Sequence, residues 1–188
     1  ASRISHFFNL RGPALAVDTA CSSSLSAVHM ACSSIRSGES EMALAGGVNI
    51  LLSPTVTMSL TKAGMMAPDG KCKTFDDRAN GYVRSEGIGL VLLKPLSKAE
   101  ADGDHIYAVI KGSASNQDGK SSGISAPNGQ AQQAVIMAAC QNANIQPGEL
   151  DYVEAHGTGT SLGDPIEINA LGEVLKIGAI AGSECGVG

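Results

Sequence analysis

The sequence has no tryptophan, and aromatic residues make up only 3% of its 188 residues. Large rings are therefore excluded as the main filling of a core, although hydrophobic residues reach 43%. Aliphatic and small side chains must fill the interior instead. Glycine is abundant, at 23 residues, and many glycines stand where apolar runs end, which predicts tight turns and close backbone approach.

Basic stripes and long apolar segments are also lacking. The net charge is −5, so the electrostatic footprint of a nucleic-acid-binding protein is absent. The apolar runs are far shorter than the roughly 20 residues of a membrane span, and the start, ASRISHFFNLRGP, does not resemble a signal peptide. We therefore predict no nucleic-acid partner and no membrane tether, whereas an acidic carrier protein stays possible because basic patches can be local.

The five cysteines are odd in number and form no C-x-x-C pair; they stand at positions 21, 32, 72, 140 and 185. A disulfide framework is therefore not predicted, and a reducing, cytoplasmic location is favoured. Cys21 and His29 could indicate a metal site, but no further ligand stands at a suitable spacing, so no metal is predicted.

Apolar runs alternate with helical patterns along the chain. Strands are predicted at 14–20, 42–52, 89–93, 106–110 and 150–155, and helices at 1–8, 22–36, 97–101 and 128–143, the last capped by Asn128. This alternation predicts an α/β fold with a largely parallel sheet covered on both faces. The irregular stretch 61–87 is interpreted as a site-forming or interface loop.

The last helix has the clearest start signal. Asp164 is a natural N-cap, Pro165 fits the first helical position, and Glu167 falls where a capping box places its acidic residue.

Ligands of parallel α/β sheets bind beyond the carboxyl ends of the strands, which directs attention to Cys21 and His156. Cys21 stands where a predicted strand turns into a helix, as a nucleophile elbow does, and a helix N-terminus favours a thiolate or an oxyanion. The three serines that follow leave room for a substrate. The pattern alone favours a buried cysteine in a capped helix over a nucleophile.

His156 ends an apolar run and begins the segment HGTGT. The glycines allow close approach of a ligand, and Thr158 and Thr160 offer hydroxyl groups, although a glycine-rich turn with an incidental histidine remains an alternative. His29 is not the partner of Cys21, because eight helical residues separate them by about 12 Å.

Two nucleotide-binding motifs fail on spacing. In GTGTSLG, at 157–163, the third glycine comes one residue too late for a dinucleotide-binding turn. The loop between Gly112 and Gly119-Lys120-Ser121 is two residues too long for a phosphate-binding loop.

Longer motifs carry a specific resemblance. Residues 12–25, GPALAVDTACSSSL, closely resemble the active-site segment of ketosynthase domains in modular type I polyketide synthases. Residues 154–160, EAHGTGT, with GDPIE at 163–167, resemble the first histidine motif of that family. Further matching segments are PDGKC at 68–72, FD at 75–76 and GYVRSEG at 81–87.

The resemblance implies a thiolase-like, layered α/β/α/β/α fold, here incomplete at both ends, with its halves at about 1–100 and 101–188. It implies an acyltransferase that performs decarboxylative Claisen condensation of a Cys21-bound acyl chain with a malonyl-type extender. His156 would assist decarboxylation and stabilise the enolate, while Thr158 and Thr160 would contact the pantetheine arm of the substrate.

The implied partners are an acyl carrier protein, neighbouring synthase domains and a second copy in a homodimer. No cofactor is bound directly, because the substrates arrive on the carrier's phosphopantetheine. The family's second histidine and its glycine-rich Phe loop are absent from these residues, so we expect the 188 residues alone not to catalyse condensation.

Three other functions remain open. One is a ketosynthase-like enzyme that only decarboxylates or only transfers acyl groups. Another is a non-catalytic module for carrier binding or dimerisation, and the last is a cysteine hydrolase that uses Cys21 and His156.

Overall fold

The computed structural model describes residues 1–123 and 125–182, with side chains described as far as residue 176. The chain forms two compact units, Ala1–Ile50 with Glu86–Ile110, and Leu51–Ser85 with Lys111–Gly188. The helices are α1 Ser2–Phe7, α2 Ser23–Arg36, α3 Pro54–Lys62, α4 Leu96–Asp102, α5 Gly129–Ala143 and α6 Gly163–Gly182. The strands are β1 Ala43–Asn49 and β2 Gly87–Leu93, and short 3₁₀ turns occupy Ala20–Ser22 and Pro147–Glu149.

The sheet of the first unit differs from the prediction. β1 and β2 pair antiparallel, from Ala43 opposite Leu93 to Asn49 opposite Gly87. Helix α2 packs on β1. Among the described residues the other face is not covered, since Val48 and the facing Ile88 are 63% and 75% exposed. The antiparallel pairing shows that the prediction of a parallel sheet was wrong for these two strands.

Three predicted strands are not strands in this structure. Residues 14–20, 106–110 and 150–155 lack strand hydrogen bonding. These segments are apolar, but a strand also needs a neighbouring strand whose backbone groups form hydrogen bonds with its own. An apolar composition indicates that a segment tends to be buried, but it does not show whether a neighbouring strand is present.

The helices follow their local signals more closely. Predicted helices at 1–8, 22–36, 97–101 and 128–143 are confirmed as α1, α2, α4 and α5. The Asn128 side chain accepts hydrogen bonds from the amides of Gln130 and Ala131, as predicted for a cap. Helix α3 was not predicted, although Ser53 caps it and Pro54 opens it.

The described interior is built from small side chains, as the shortage of aromatic residues predicted. The buried apolar residues are Cys32, Ala45, Ala67, Ala99, Cys140, Ala170 and Val174. In the second unit, helices α5 and α6 pack together.

Four cysteines are free thiols, and Cys185 lies outside the described residues. Cys21 and Cys72 are exposed, whereas burial raises the pKa of the Cys140 thiol. No helix among the described residues combines the length and hydropathy needed to cross a bilayer.

The sheet register gives a direct stability test. A Cβ atom at Gly46 would lie 2.0 Å from the Gly89 carbonyl oxygen, whereas a Cβ atom at Gly89 meets nothing within 4 Å. We expect Gly46→Ala to lower the free energy of unfolding of the full-length protein by roughly 1–3 kcal/mol, because strand backbone cannot yield to it. Denaturant unfolding measures the change. Gly89→Ala is the matched control, and an equal loss in both variants would contradict the register.

Candidate active site

Cys21 lies in a strained turn at the start of α2. The 3₁₀ turn Ala20–Ser22 precedes the helix, and Ala20 has a φ of +55°. Such a conformation costs a non-glycine residue about 1–3 kcal/mol and is found most often at active sites and ligand clamps. The Cys21 residue itself is exposed. Cys21 is therefore an exposed residue next to a strained one, and its role as a nucleophile stays a prediction.

Short polar side chains hold this turn in place. The Ala20 amide donates to Asp18 Oδ1 at 3.1 Å, and the Thr19 amide donates to Ser23 Oγ at 2.9 Å. The Ser23 hydroxyl donates to the Ala20 carbonyl at 2.7 Å, and the Ser22 hydroxyl donates to the Thr19 carbonyl at 2.9 Å. Two of the serines expected to leave room for substrate therefore also fix the backbone around the thiol.

The segment from His156 to Thr160 forms a tight loop in the second unit. Gly157 and Gly159 have φ values of +51° and +73°, a region that L side chains rarely adopt. The His156 residue is exposed, while Gly159 is buried. The two glycines are thus required by backbone conformation as well as by close approach.

Two carboxylates from the first turns of α6 bind the amides of this loop. Both Glu167 oxygens are used, one by the His156 amide at 2.6 Å and one by the Gly157 amide at 2.8 Å. The Asp164 carboxylate, in a residue only 4% exposed, accepts from the Gly159 amide at 3.0 Å and from the Phe75 amide at 2.7 Å. Charge-assisted bonds of this kind are the stronger hydrogen bonds of proteins.

The capping prediction for α6 was therefore wrong. The helix begins at Gly163, and Thr160 takes the capping role, because its Oγ1 accepts from the Gly163 amide at 3.0 Å and its carbonyl from the Asp164 amide at 3.2 Å. Because Thr160 accepts hydrogen bonds from the first amides of α6, the carboxylates of Asp164 and Glu167 are not needed as caps. They bind the amides of the preceding loop instead. Sequence spacing cannot distinguish these two uses of an acidic residue.

The predicted substrate-binding threonines lie together. Thr158 Oγ1 is 3.0 Å from Thr160 Oγ1 and donates to Asp164 Oδ1 at 3.4 Å. His156, Thr158 and Thr160 thus belong to one loop of the second unit, while Cys21 belongs to the first unit. The roles of these four residues stay predictions.

A groove of about 390 Å³ opens beside Thr160. Its lining residues are Phe75, Asp76, Asp77, Ala79, Thr160, Ser161, Asp164, Pro165 and Ile168. Arg78 binds Asp76 at 2.8 Å and holds the pKa of that carboxyl well below its usual range. The groove therefore has a charged edge at Asp76 and an apolar wall.

Sequence reasoning missed how the irregular stretch 61–87 takes part. Its residues Thr74, Phe75 and Gly81 hydrogen-bond to the His156–Thr160 loop or to Asp164. Low periodicity and many turn residues marked the stretch as unusual, but they could not identify the loop that it contacts.

Comparison with known proteins places these features in a family. Residues 1–99 match the family description "Beta-ketoacyl synthase, N-terminal domain", and residues 107–188 match "Beta-ketoacyl synthase, C-terminal domain".

Curated relatives are polyketide synthases. The chain is 58% identical over 178 residues to a phenolphthiocerol/phthiocerol polyketide synthase of Mycobacterium tuberculosis, covering 95% of this chain and 10% of that protein. It is 58% identical over 171 residues to polyketide synthase PksM of Bacillus subtilis, covering 91% of this chain and 4% of the relative. The chain thus spans a tenth or less of the length of these two relatives.

Solved structures agree with this similarity. The ketosynthase from module 6 of the bacillaene synthase of Bacillus subtilis 168 matches with a TM-score of 0.92 and 50% identity, over 94% of this chain and 32% of that chain. The oxazolomycin ketosynthase domain OzmH KS7 of Streptomyces albus JA3453 matches with a TM-score of 0.91 and 49% identity, over 94% and 30%. The predicted thiolase-like α/β fold is confirmed, and the chain spans about a third of these solved ketosynthases.

The buried Asp164 carboxylate provides a test of the loop. We expect Asp164→Ala to lower the free energy of unfolding by about 3 kcal/mol, because the Phe75 and Gly159 amides would lose their acceptor. Denaturant unfolding of the full-length protein measures this, and amide hydrogen exchange localises it to the loop. The exposed Asp151→Ala is the control. A loss below about 0.5 kcal/mol, the usual range for surface substitutions, would show that the carboxylate does not hold the loop.

Proposed function

Because the chain belongs to the β-ketoacyl synthase family, we propose that it forms part of a condensing enzyme of polyketide chain elongation. The reaction is a decarboxylative Claisen condensation between a cysteine-bound acyl chain and a malonyl-type extender on acyl carrier protein. The observation that carries the proposal is the turn at Cys21, an exposed cysteine directly after a residue at φ +55° and within the 3₁₀ turn that leads into helix α2.

In the first stage, Cys21 Sγ attacks the carbonyl carbon of an acyl thioester carried on phosphopantetheine. A tetrahedral oxyanion forms and collapses, and the pantetheine thiol leaves as the acyl group stays on Cys21. Backbone amides at the start of α2 favour negative charge at this position, and the Cys21 amide is one donor to the oxyanion. A thiolate suits both stages because it is a good nucleophile and a good leaving group.

In the second stage, the malonyl-type extender loses carbon dioxide, and the electron pair of the broken bond forms an enolate. The enolate carbon attacks the acyl-Cys21 carbonyl, and Cys21 leaves again as a thiolate. The product is a β-ketoacyl chain lengthened by two carbons. His156 assists the decarboxylation by stabilising the negative charge that develops on the thioester oxygen.

Thr158 and Thr160 bind the pantetheine arm that delivers the extender. Their two hydroxyls lie 3.0 Å apart, and both residues are half-buried. Asp164 and the amide of Gly163 fix the orientation of these hydroxyls before any substrate arrives, which lowers the cost of binding.

We assign the other partners on the same basis. They are an acyl carrier protein, neighbouring synthase domains and a second copy of the domain, in a cytoplasmic setting that keeps the thiols reduced. No directly bound cofactor is required, because phosphopantetheine enters with the substrate. The halves of the domain divide at about residue 100.

Acyl transfer to Cys21 can be measured by intact mass and peptide mapping of a full-length ketosynthase that contains these residues. After mixing with an acyl thioester, we expect one acyl group on the Cys21 peptide and none in Cys21→Ala. The exposed Cys72 is an internal control, because a reagent that labels any accessible thiol would label both.

Other outcomes distinguish the alternatives. Release of free acid without malonyl extender would indicate a cysteine hydrolase. A folded protein that binds carrier and gains no acyl mass would indicate a binding module and contradict the proposal.

A further inference from the structure

The carbonyl groups of the His156–Thr160 loop are bound by a separate segment of the second unit. The Thr74 hydroxyl donates to the Gly157 carbonyl at 2.6 Å, and Cys72 Sγ donates to the Thr158 carbonyl at 3.2 Å. The next carbonyl, that of Gly159, accepts from the Gly81 amide at 2.9 Å. Three successive carbonyls are thus each satisfied from residues 72–81.

This contact is close as well as polar. A Cβ atom at Gly157 would lie 2.5 Å from Thr74 Cγ2, and one at Gly159 would lie 3.1 Å from Cys72 Sγ. The two left-handed glycines of the loop therefore face the same two side chains that bind its carbonyls. Only glycine permits this approach, so loop and segment are matched in shape.

The segment is itself anchored. Lys73 Nζ binds Asp69 Oδ1 at 2.7 Å and the Lys71 carbonyl at 3.1 Å, and the Lys73 side chain is only 13% exposed. The Phe75 amide binds the buried Asp164 carboxylate. Thr74 therefore lies between two fixed residues, and its hydroxyl is held at the Gly157 carbonyl.

The flexibility of Gly157 gives the Thr74 hydroxyl a role in fixing the loop. Gly157 can adopt many backbone conformations at little cost, so its own φ does not select one orientation for the peptide that follows. Glu167 fixes the Gly157 amide, and Thr74 fixes the Gly157 carbonyl. With both ends of the residue held, the backbone on either side is fixed, and with it the direction in which the side chains of His156 and Thr158 leave the backbone.

We propose that Thr74 is a positioning residue of the condensing reaction, acting through Gly157 on His156 and Thr158, with Cys72 in a supporting role. The proposal rests on the proposed function. Neither residue touches substrate in this scheme. Their contribution is to the geometry of the decarboxylation and condensation stage and not to acylation of Cys21.

The test compares Thr74→Val, which keeps the shape and removes the donor, with Thr74→Ser, which keeps the donor, in a full-length ketosynthase. For Thr74→Val we expect the kcat of malonyl-dependent condensation to fall roughly tenfold to a hundredfold, because small displacements of reacting groups have effects of this size. The rate of Cys21 acylation stays within about threefold, whereas the KM for malonyl carrier rises, because Thr158 binds the pantetheine arm of the extender. Thr74→Ser restores kcat.

Thr61→Val is the matched control, because the Thr61 hydroxyl donates to the Thr57 carbonyl within α3. The proposal is overturned if Thr74→Val slows acylation and condensation equally, if Thr74→Ser fails to restore kcat, or if Thr61→Val produces the same loss. Should Thr74→Val fail to fold, Cys72→Ala must show the same separation of the two stages, with a smaller loss.

Failure of the proposed function is recognised separately. If the unsubstituted protein forms no β-ketoacyl product, the function is wrong, and hydrogen exchange of the His156 and Gly157 amides then decides the positioning. Faster exchange in Thr74→Val than in Thr74→Ser and Thr61→Val supports Thr74 as the residue that holds the loop. Equal exchange in all three overturns it.

Discussion

The buried carboxylate of Asp164 is the interaction on which the second unit's site depends. It binds the amide of Gly159 in the His156–Thr160 loop and the amide of Phe75, which is distant in sequence. One side chain therefore joins both segments to helix α6. A carboxylate that is only 4% exposed must have such donors, since burying it without them would be very costly. The hydrogen bonds that stabilise the buried charge therefore also fix the loop. Glu167 adds a similar bond to the amide of His156.

The turn at Cys21 is stabilised in a different way. Its conformation is maintained by neighbours in sequence, as hydroxyls of Ser22 and Ser23 and the carboxylate of Asp18 satisfy the backbone around the strained Ala20. The His156–Thr160 loop, in contrast, is held by contacts between two separate stretches of the chain, residues 72–81 and 156–167.

This difference explains what the sequence could predict. Local signals were sufficient for α2 and for the Asn128 cap of α5, because each depends on residues within a few positions. The long motifs were sufficient to predict the family and the thiolase-like fold. Spacing could not predict the antiparallel pairing, the three apolar segments that are not strands, or the bond between Asp164 and the Phe75 amide, because each depends on a partner far along the chain. Thr74 was missed for the same reason.

The most direct test of the condensing mechanism follows ¹³C-labelled malonyl extender on acyl carrier protein through a full-length ketosynthase already acylated at Cys21. We predict an acyl chain longer by two labelled carbons, with one carbon dioxide released per turnover, and loss of both in His156→Ala although Cys21 is still acylated. An acyl-Cys21 that hydrolyses to free acid while malonyl remains intact, or a His156→Ala protein that elongates at an undiminished rate, would contradict this mechanism.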